Sequence, residues 1–531
     1  MIAKSSTIIL TISAAITIVV VLVFIFTMTF NNQQSNEEAS ETATIDIRSS
    51  RSAAKLSPPT PIPIGLNPYI KEYALPREEI WPNGIAVDEN QTVWFTGTKS
   101  GSLFRADLDK RGEIAFREFR IPDESKGMIM GWGVATDNQR DEIWFTDDKS
   151  GAIWVFDTST EEFKKIELPT KSLDQFPVLP IQIAIDDKNG FVWFTELYGH
   201  RIGLIRPDLD YAVFEFPTPT NNSGPSGIFI GDEYVWFTEA LSNKIARYGY
   251  NKSNSNLIPD VGLGDEINRT VKLTQTEEFT PSPSKPLNSP VGIFVDENEE
   301  TVWVTEHGTS FIAAYNITNN TVFRFATSRY EPQIITLPYW IRSDSNGNVW
   351  FTEHAGNKIA MFNRTDFTLT EYEIPTRNPK SEYISNTMSL AVAPDDMVWF
   401  TEWSEDKIGV VDPTVDIPFT LTPSAKEIKI SRGDSATVDL TIDIRGNVSN
   451  NNTIRFMASG TETPSGRLFN ISSIFDPQSI MLPPNLEMKN TTNVKLKIKT
   501  DPSIKPGTYT ITASATDGMV TRSGIIVVHI E

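Results

Sequence analysis

From about residue 67 to residue 415 the chain repeats one pattern of apolar and polar positions, clearest in WIRSDSNGNVWFTEHAGNKIAMFNRTDFTLTEYEIPT, Trp340 to Thr376. An apolar run leads to the turn Asp344-Ser345-Asn346-Gly347, and alternating segments follow at Val349–Glu353, Ile359–Phe362 and Thr368–Ile374. Period-two alternation broken by Asp, Asn and Gly predicts four short strands. The triplet Trp-Phe-Thr, or a near relative, marks the second strand at Trp94, Trp144, Trp193, Trp236, Trp303, Trp350 and Trp399, with spacings of 50, 49, 43, 67, 47 and 49 residues. Four-stranded units repeated at this period predict a seven-bladed β-propeller. The turn acids, Asp88 to Asp395, are structural on this reading, because Asp tolerates tight-turn backbone angles. The longest spacing holds Asn251 to Asp265, polar and aperiodic, and predicts an external loop.

The seventh copy stops after Lys407-Ile408-Gly409-Val410-Val411, one strand short, while an unpaired strand-like segment, Ile70 to Pro76, precedes the first copy. A ring without exposed edges needs these two ends to share a sheet, so Ile70 to Pro76 is expected to close blade seven. Past Pro418 the repeat is replaced by Val438-Asp-Leu440-Thr-Ile442, Val494-Lys-Leu496-Lys-Ile498 and Tyr509-Thr-Ile511-Thr-Ala513. This alternation predicts an immunoglobulin-like β-sandwich over residues 416–531. The fold class expected is therefore all-β.

The N-terminal end differs. Residues 5–30 carry no charge and are long enough to span a bilayer as a helix, so residues 1–30 are expected to form a single-pass anchor. Lys4 before it and Glu37, Glu38 and Glu41 after it would leave the bulk of the chain outside the cell. Residues 31–66 are polar, then proline-rich, and read as a linker. Sequons from Asn90 to Asn490 fit an external glycoprotein, and with no cysteine in the chain suit an archaeal surface. A formal net charge of -21 argues against nucleic-acid partners and fits a basic or cationic one better; the expected partner is a small molecule or surface polymer.

The units GIAVDENQTVWFTGTKSGSL and GIFIGDEYVWFTEALSNKIARY, with blade six, resemble the repeat of the streptogramin (virginiamycin B) lyase family over about residues 70–412. The resemblance implies a lyase-like propeller, akin to lactonase-like and NHL-type propellers. It also implies a reaction that opens a cyclic ester with a histidine base and magnesium. The base position falls here on Asn83, Trp132, Ile181, Ser226, Val291, Tyr339 and Met388, none of them histidine. The chain's own candidates lie after the Trp-Phe-Thr strands. Glu306, Glu353 and Glu402 are expected to face the channel mouth and to hold magnesium or calcium, since hard cations take carboxylate oxygen. His307 and His354, each directly after such an acid, are the candidate bases. Tyr339, Trp132 and Trp403 are the candidate substrate contacts. His200 fills the slot of Asn243 and Asn357 and is expected to serve a turn. Three functions follow: ligand or cation binding at the mouth, a metal-assisted lyase or lactonase, and a surface adhesion or scaffold protein.

Overall fold

The computed structural model describes residues 67–109, 111–122, 129–170, 172–173, 176–249, 276–281, 286–298, 300–329, 335–377, 385–446, 453–482 and 490–531. The expected anchor, the linker and the blade-four loop lie outside these residues. Among the described residues no helix is long and apolar enough to cross a membrane.

Seven blades of four antiparallel strands make the ring. Their inner strands are Pro82–Val87, Val134–Asp137, Pro180–Asp186, Pro225–Ile230, Pro290–Asp296, Pro338–Ser343 and Thr387–Val392, and each neighbours the next around the circle, with the last beside the first. Blade seven is completed by Ile70–Ala74, which pairs with Lys407–Val411 from Ile70 opposite Val411 to Ala74 opposite Lys407. Its Ile70, Tyr73 and the following Leu75 are buried, and Tyr73 stacks on Trp399 at 5.8 Å. Burial of each such side chain stabilises by about 1.5–3 kcal/mol, so deleting residues 67–76 is expected to cost at least about 5 kcal/mol. A thermal melt of the deletion variant that matches the parent would show that the ring does not depend on this strand.

The Trp-Phe-Thr repeat is the mortar between blades. Trp94 packs into blade two beside Ile143, Phe145 and Phe156, whereas Phe95 packs beside Trp399 of blade seven, as side chains alternating across a strand must. The threonine does more than fill space. Thr96 Oγ1 accepts from Gly84 N at 3.1 Å and donates to Gly131 O of blade two at 2.8 Å. Thr195, Thr238 and Thr305 repeat the bridge to Ser226 O, Val291 O and Tyr339 O. Thr401 closes the circle by donating to Asn83 O at 2.9 Å.

The C-terminal region forms two sheets. Strands Phe419–Pro423, Ser435–Ile444, Asn490–Thr500 and Ile471–Asp476 make one. The other runs through Val520–Ile530, Gly507–Thr516, Thr453–Gly460 and Ser479–Met481. A shared core that includes Leu440, Ile442, Leu496, Ile511 and Val528 lies between them. Sequence alternation pointed to a separate module, but this second sheet is continuous with blade six. Thr368–Tyr372, the blade's outer strand, pairs antiparallel with Val520–Gly524 to give one nine-stranded sheet. The physical reason is the edge itself: an outer strand offers a full row of backbone donors and acceptors. Here it is covered, and Leu369, Thr370, Glu371 and Tyr372 are all buried.

Candidate functional site

Inner strands begin, and second strands end, on one face of the ring. In six blades the inner strand shifts register near its start, for example between Pro338 and Ile341 and between Thr387 and Leu390. Such bulges re-aim a side chain, and here the re-aimed residues include Asn83, Tyr339 and Met388. The carbonyls of Asn83 and Tyr339 are held by bridging threonines, Tyr339 O at 2.6 Å from Thr305 Oγ1 and Asn83 O at 2.9 Å from Thr401 Oγ1. The residue leading into the inner strand has left-handed backbone in several blades: Trp81 (φ 57), Leu179 (φ 55), Ser289 (φ 47), Leu337 (φ 50) and Asn386 (φ 51). Bulky residues held there are strained, and such strain concentrates at functional sites.

A second ring comes from the residue after each second strand: Thr98, Asp148, Leu197, Ala240, His307, His354 and Trp403. The two rings meet in an aromatic cluster. Trp132 and Tyr339 stand edge to face with centroids 6.3 Å apart and planes at 62°. The His307 ring lies 4.9 Å from Tyr339 and stacks at 5.8 Å on His354. Leu179, Ile181, Leu197 and Tyr198 pack beside Trp132. Trp403 packs on Trp81 at 4.9 Å. Four of the sequence candidates, Trp132, Tyr339, His307 and His354, are therefore brought together.

Their chemistry differs from expectation. Both histidines are buried, with burial the largest cause pushing their pKa values down, to about 3 for His307 and about 4 for His354. Each is neutral at pH 7 and none titrates near neutrality. His307 Nδ1 lies 3.2 Å from Pro338 O, which fixes the ring as a donor there. A carboxyl group pushed toward neutrality does stand in this second ring, Asp148, absent from the sequence candidates. Burial, then the neighbouring Asp147 among the terms that raise it, brings its pKa to about 7 against a hydrogen bond from Met130 N at 3.0 Å. The signal for it was the alignment column it shares with His307 and His354.

The three acids do not line the mouth. Glu306, Glu353 and Glu402 are fully buried, each inside its own blade. Glu306 takes a two-pronged bond from Arg324, Nε to Oε2 at 2.6 Å and Nη2 to Oε1 at 2.9 Å, and a third from Asn288 N. Glu353 lies 3.8 Å from the Lys358 ammonium, which also serves Glu371. Glu402 is buried against Glu72 and Lys407, and burial pushes its pKa well up. Alternation put them at the strand ends, but the strand ends here are covered. Among the described residues no group of three or more His, Asp or Glu side chains could hold a metal ion. These acids therefore do not fit a resident magnesium or calcium ion, and adding either cation at millimolar concentration is expected to leave the melting temperature unchanged. A rise proportional to the logarithm of cation concentration would contradict this placement.

His200 sits at φ 53 in the turn before the third strand, where Asn243, Asn357 and Asp406 have φ 60, 58 and 48. Each side chain clasps the next blade: His200 Nδ1 accepts from Gly224 N, Asn243 Oδ1 from Ser289 N, Asn357 Oδ1 from Ser385 N, and Asp406 from three backbone N–H groups at Glu79, Ile80 and Trp81.

The fold and this face define an all-β, seven-bladed propeller with an aromatic, half-buried mouth on the face where inner strands begin. The sequence profile of the virginiamycin B lyase family matches residues 114–256. A solved structure described as a streptogramin B lyase is 26% identical, with a TM-score of 0.50, over 65% of this chain and 97% of that one. A virginiamycin B lyase from Staphylococcus aureus is 25% identical over 65% of this chain and 99% of its own, with a TM-score of 0.49. No curated protein matches the chain. The propeller is virginiamycin B lyase-like.

Proposed function

We propose that this protein binds a small organic ligand at the channel mouth, over the cluster of Trp132, Tyr339, His307 and His354, with the chain held at a membrane by residues 5–30 and the propeller outside the cell. One observation carries the binding reading. Buried polar atoms around the mouth have no protein partner: Asn83 Nδ2 and Oδ1, Thr387 Oγ1, Ser389 Oγ, His354 Nδ1 and Trp403 Nε1. Buried polar groups are nearly always paired, and each left unpaired costs about 1–3 kcal/mol, so those that stand beside the aromatic faces of the mouth are open to a ligand's polar atoms.

A second reading is turnover of a cyclic ester. It draws on the lyase-like propeller and on Asp148, a carboxyl group able to accept a proton near pH 7. The test for both is a melting-temperature screen of lactones, cyclic depsipeptides and polar metabolites on residues 67–531, repeated on Asn83→Ala and Tyr339→Ala. Binding at the mouth predicts a hit whose stabilisation both variants abolish. Hits that both variants retain would place the site elsewhere, and opening of a hit's ester bond that Asp148→Asn stops would favour turnover.

A further inference from the structure

Of the two rings around the mouth, the bulge residues and the residues after the second strands, Asp148 is the one carboxylic acid, and His307 and His354 are neutral at pH 7. No Lys or Arg stands in either ring. Asp148 is half-buried; one carboxylate oxygen is fixed by Met130 N, and the Trp132 indole N–H lies close to it without a hydrogen bond of good geometry. Trp132 in turn meets Tyr339 at 62°, so that two half-exposed π-systems form a corner beside one carboxylate.

We propose that the ligand of this mouth carries an organic cation, a tertiary or quaternary ammonium group, seated against the Trp132–Tyr339 corner with Asp148 as its counter-ion. The inference rests on the mouth being a ligand site and names the chemical class that site selects. Aromatic faces attract cations through their quadrupole, and a partly desolvated carboxylate strengthens the attraction. An alkylated ammonium suits such a corner better than a metal ion or ammonium itself, because it sheds water readily and offers apolar surface to the rings. The same face already holds a cation in this way. The Lys99 ammonium lies 4.8 Å from the centre of the Trp81 ring and 2.5 Å from Glu79 Oε1, an aromatic and a carboxylate sharing one ammonium. The net charge of -21 raises the local concentration of any cation.

The experiment is calorimetric titration of residues 67–531 with choline and with dimethylbutanol, its neutral isostere. Choline is expected to bind at least about tenfold more tightly than the alcohol. Asp148→Asn and, independently, Trp132→Ala are each expected to weaken choline at least about tenfold while leaving the alcohol nearly unchanged in the first case. Asp210→Asn, which removes an exposed acid on the outer strands, is expected to change nothing. Equal binding of choline and alcohol, or loss of choline binding in Asp210→Asn to the same degree as in Asp148→Asn, overturns the proposal. If choline fails while a neutral screen hit still depends on Tyr339, the mouth is the site and its cation preference is not. If neither binds, both readings fall. Trp132→Phe, which keeps a ring, is expected to retain most of the affinity and guards against a variant that merely misfolds.

Discussion

Between about pH 6.5 and pH 8.5 the protein is expected to lose thermal stability steadily, by a few degrees per pH unit. Four blades set two carboxyl groups against one cation, with at least one carboxyl of each set buried. The sets are Glu196 and Glu215 with Arg201, Glu239 and Glu278 with Lys244, Glu353 and Glu371 with Lys358, and Glu402 and Glu72 with Lys407. One cation pairs with only one of two carboxylates, so the more deeply buried one of each pair is driven toward its protonated form. Burial first, and the partner carboxylate after it, push Glu196, Glu353 and Glu402 well above the usual carboxylate range and Glu239 to about 7. A folded-state pKa raised above the unfolded value gives stability that is complete below the unfolded value, 4.5 for Glu, and is lost as pH rises through the folded one. Each group still protonated in the folded state costs about 1.4 kcal/mol per pH unit. Two opposing contributions act elsewhere. His307 and His354 add stability as pH rises toward 6.5 and nothing above it, and Glu278, whose pKa is lowered by Lys244 and Thr220, acts only below the ordinary carboxylate range. Melting curves that stay flat or rise between pH 6.5 and 8.5 would contradict the shared-proton arrangement.

Lys358→Met is expected to be the most damaging single substitution in the propeller, at about 3–5 kcal/mol, the usual cost of stranding a buried charge. The Lys358 ammonium is fully buried and donates to Ser328 O at 2.9 Å, Ser328 Oγ at 2.7 Å and Glu371 Oε1 at 3.1 Å. It also lies 4.0 Å from Glu373 Oε1, whose other oxygen pairs with Arg377. Without it, Glu353, Glu371 and Glu373 face one another with Arg377 alone. The damage sits where blade six joins the C-terminal sheet, since Glu371 lies in the strand that pairs with Val520–Gly524. Adding Glu371→Gln should restore part of the loss, because it removes the stranded charge while keeping the shape. Denaturant unfolding that finds Lys358→Met within about 1 kcal/mol of the parent would refute the network.

The ring was legible because its bricks repeat: Trp and Phe on opposite faces of one strand, threonine directly after them, and a turn acid before them specify both neighbours of every blade. The buried acids were misplaced for a reason the sequence also contained. Glu196, Glu239, Glu353 and Glu402 are each followed five residues later by Arg201, Lys244, Lys358 or Lys407, and hairpin pairing sets each couple directly opposite. An exposed mouth acid would not need a fixed cation at that spacing. Asp148 follows another acid, Asp147, in a run that reads as a turn, and shares with His307 and His354 only the position after the second strand. The contact between Trp132 and Tyr339 was out of reach, since it joins blades two and six across the channel and depends on the width of the ring. The continuation of blade six into Val520–Gly524 was hidden for a different reason: strand pairing is made by backbone groups common to every sequence.

On the function proposed above, the mouth, and not the outer surface of either region, is where the ligand is expected to bind. The most direct measurement is a crystal structure of residues 67–531 with the strongest hit of the ligand screen. The account predicts density for that ligand within contact of Trp132 and Tyr339, with its polar atoms completing Asn83 and His354. Ligand density on the opposite face or on the C-terminal sheets, with the mouth side chains unchanged and holding only water, would contradict it.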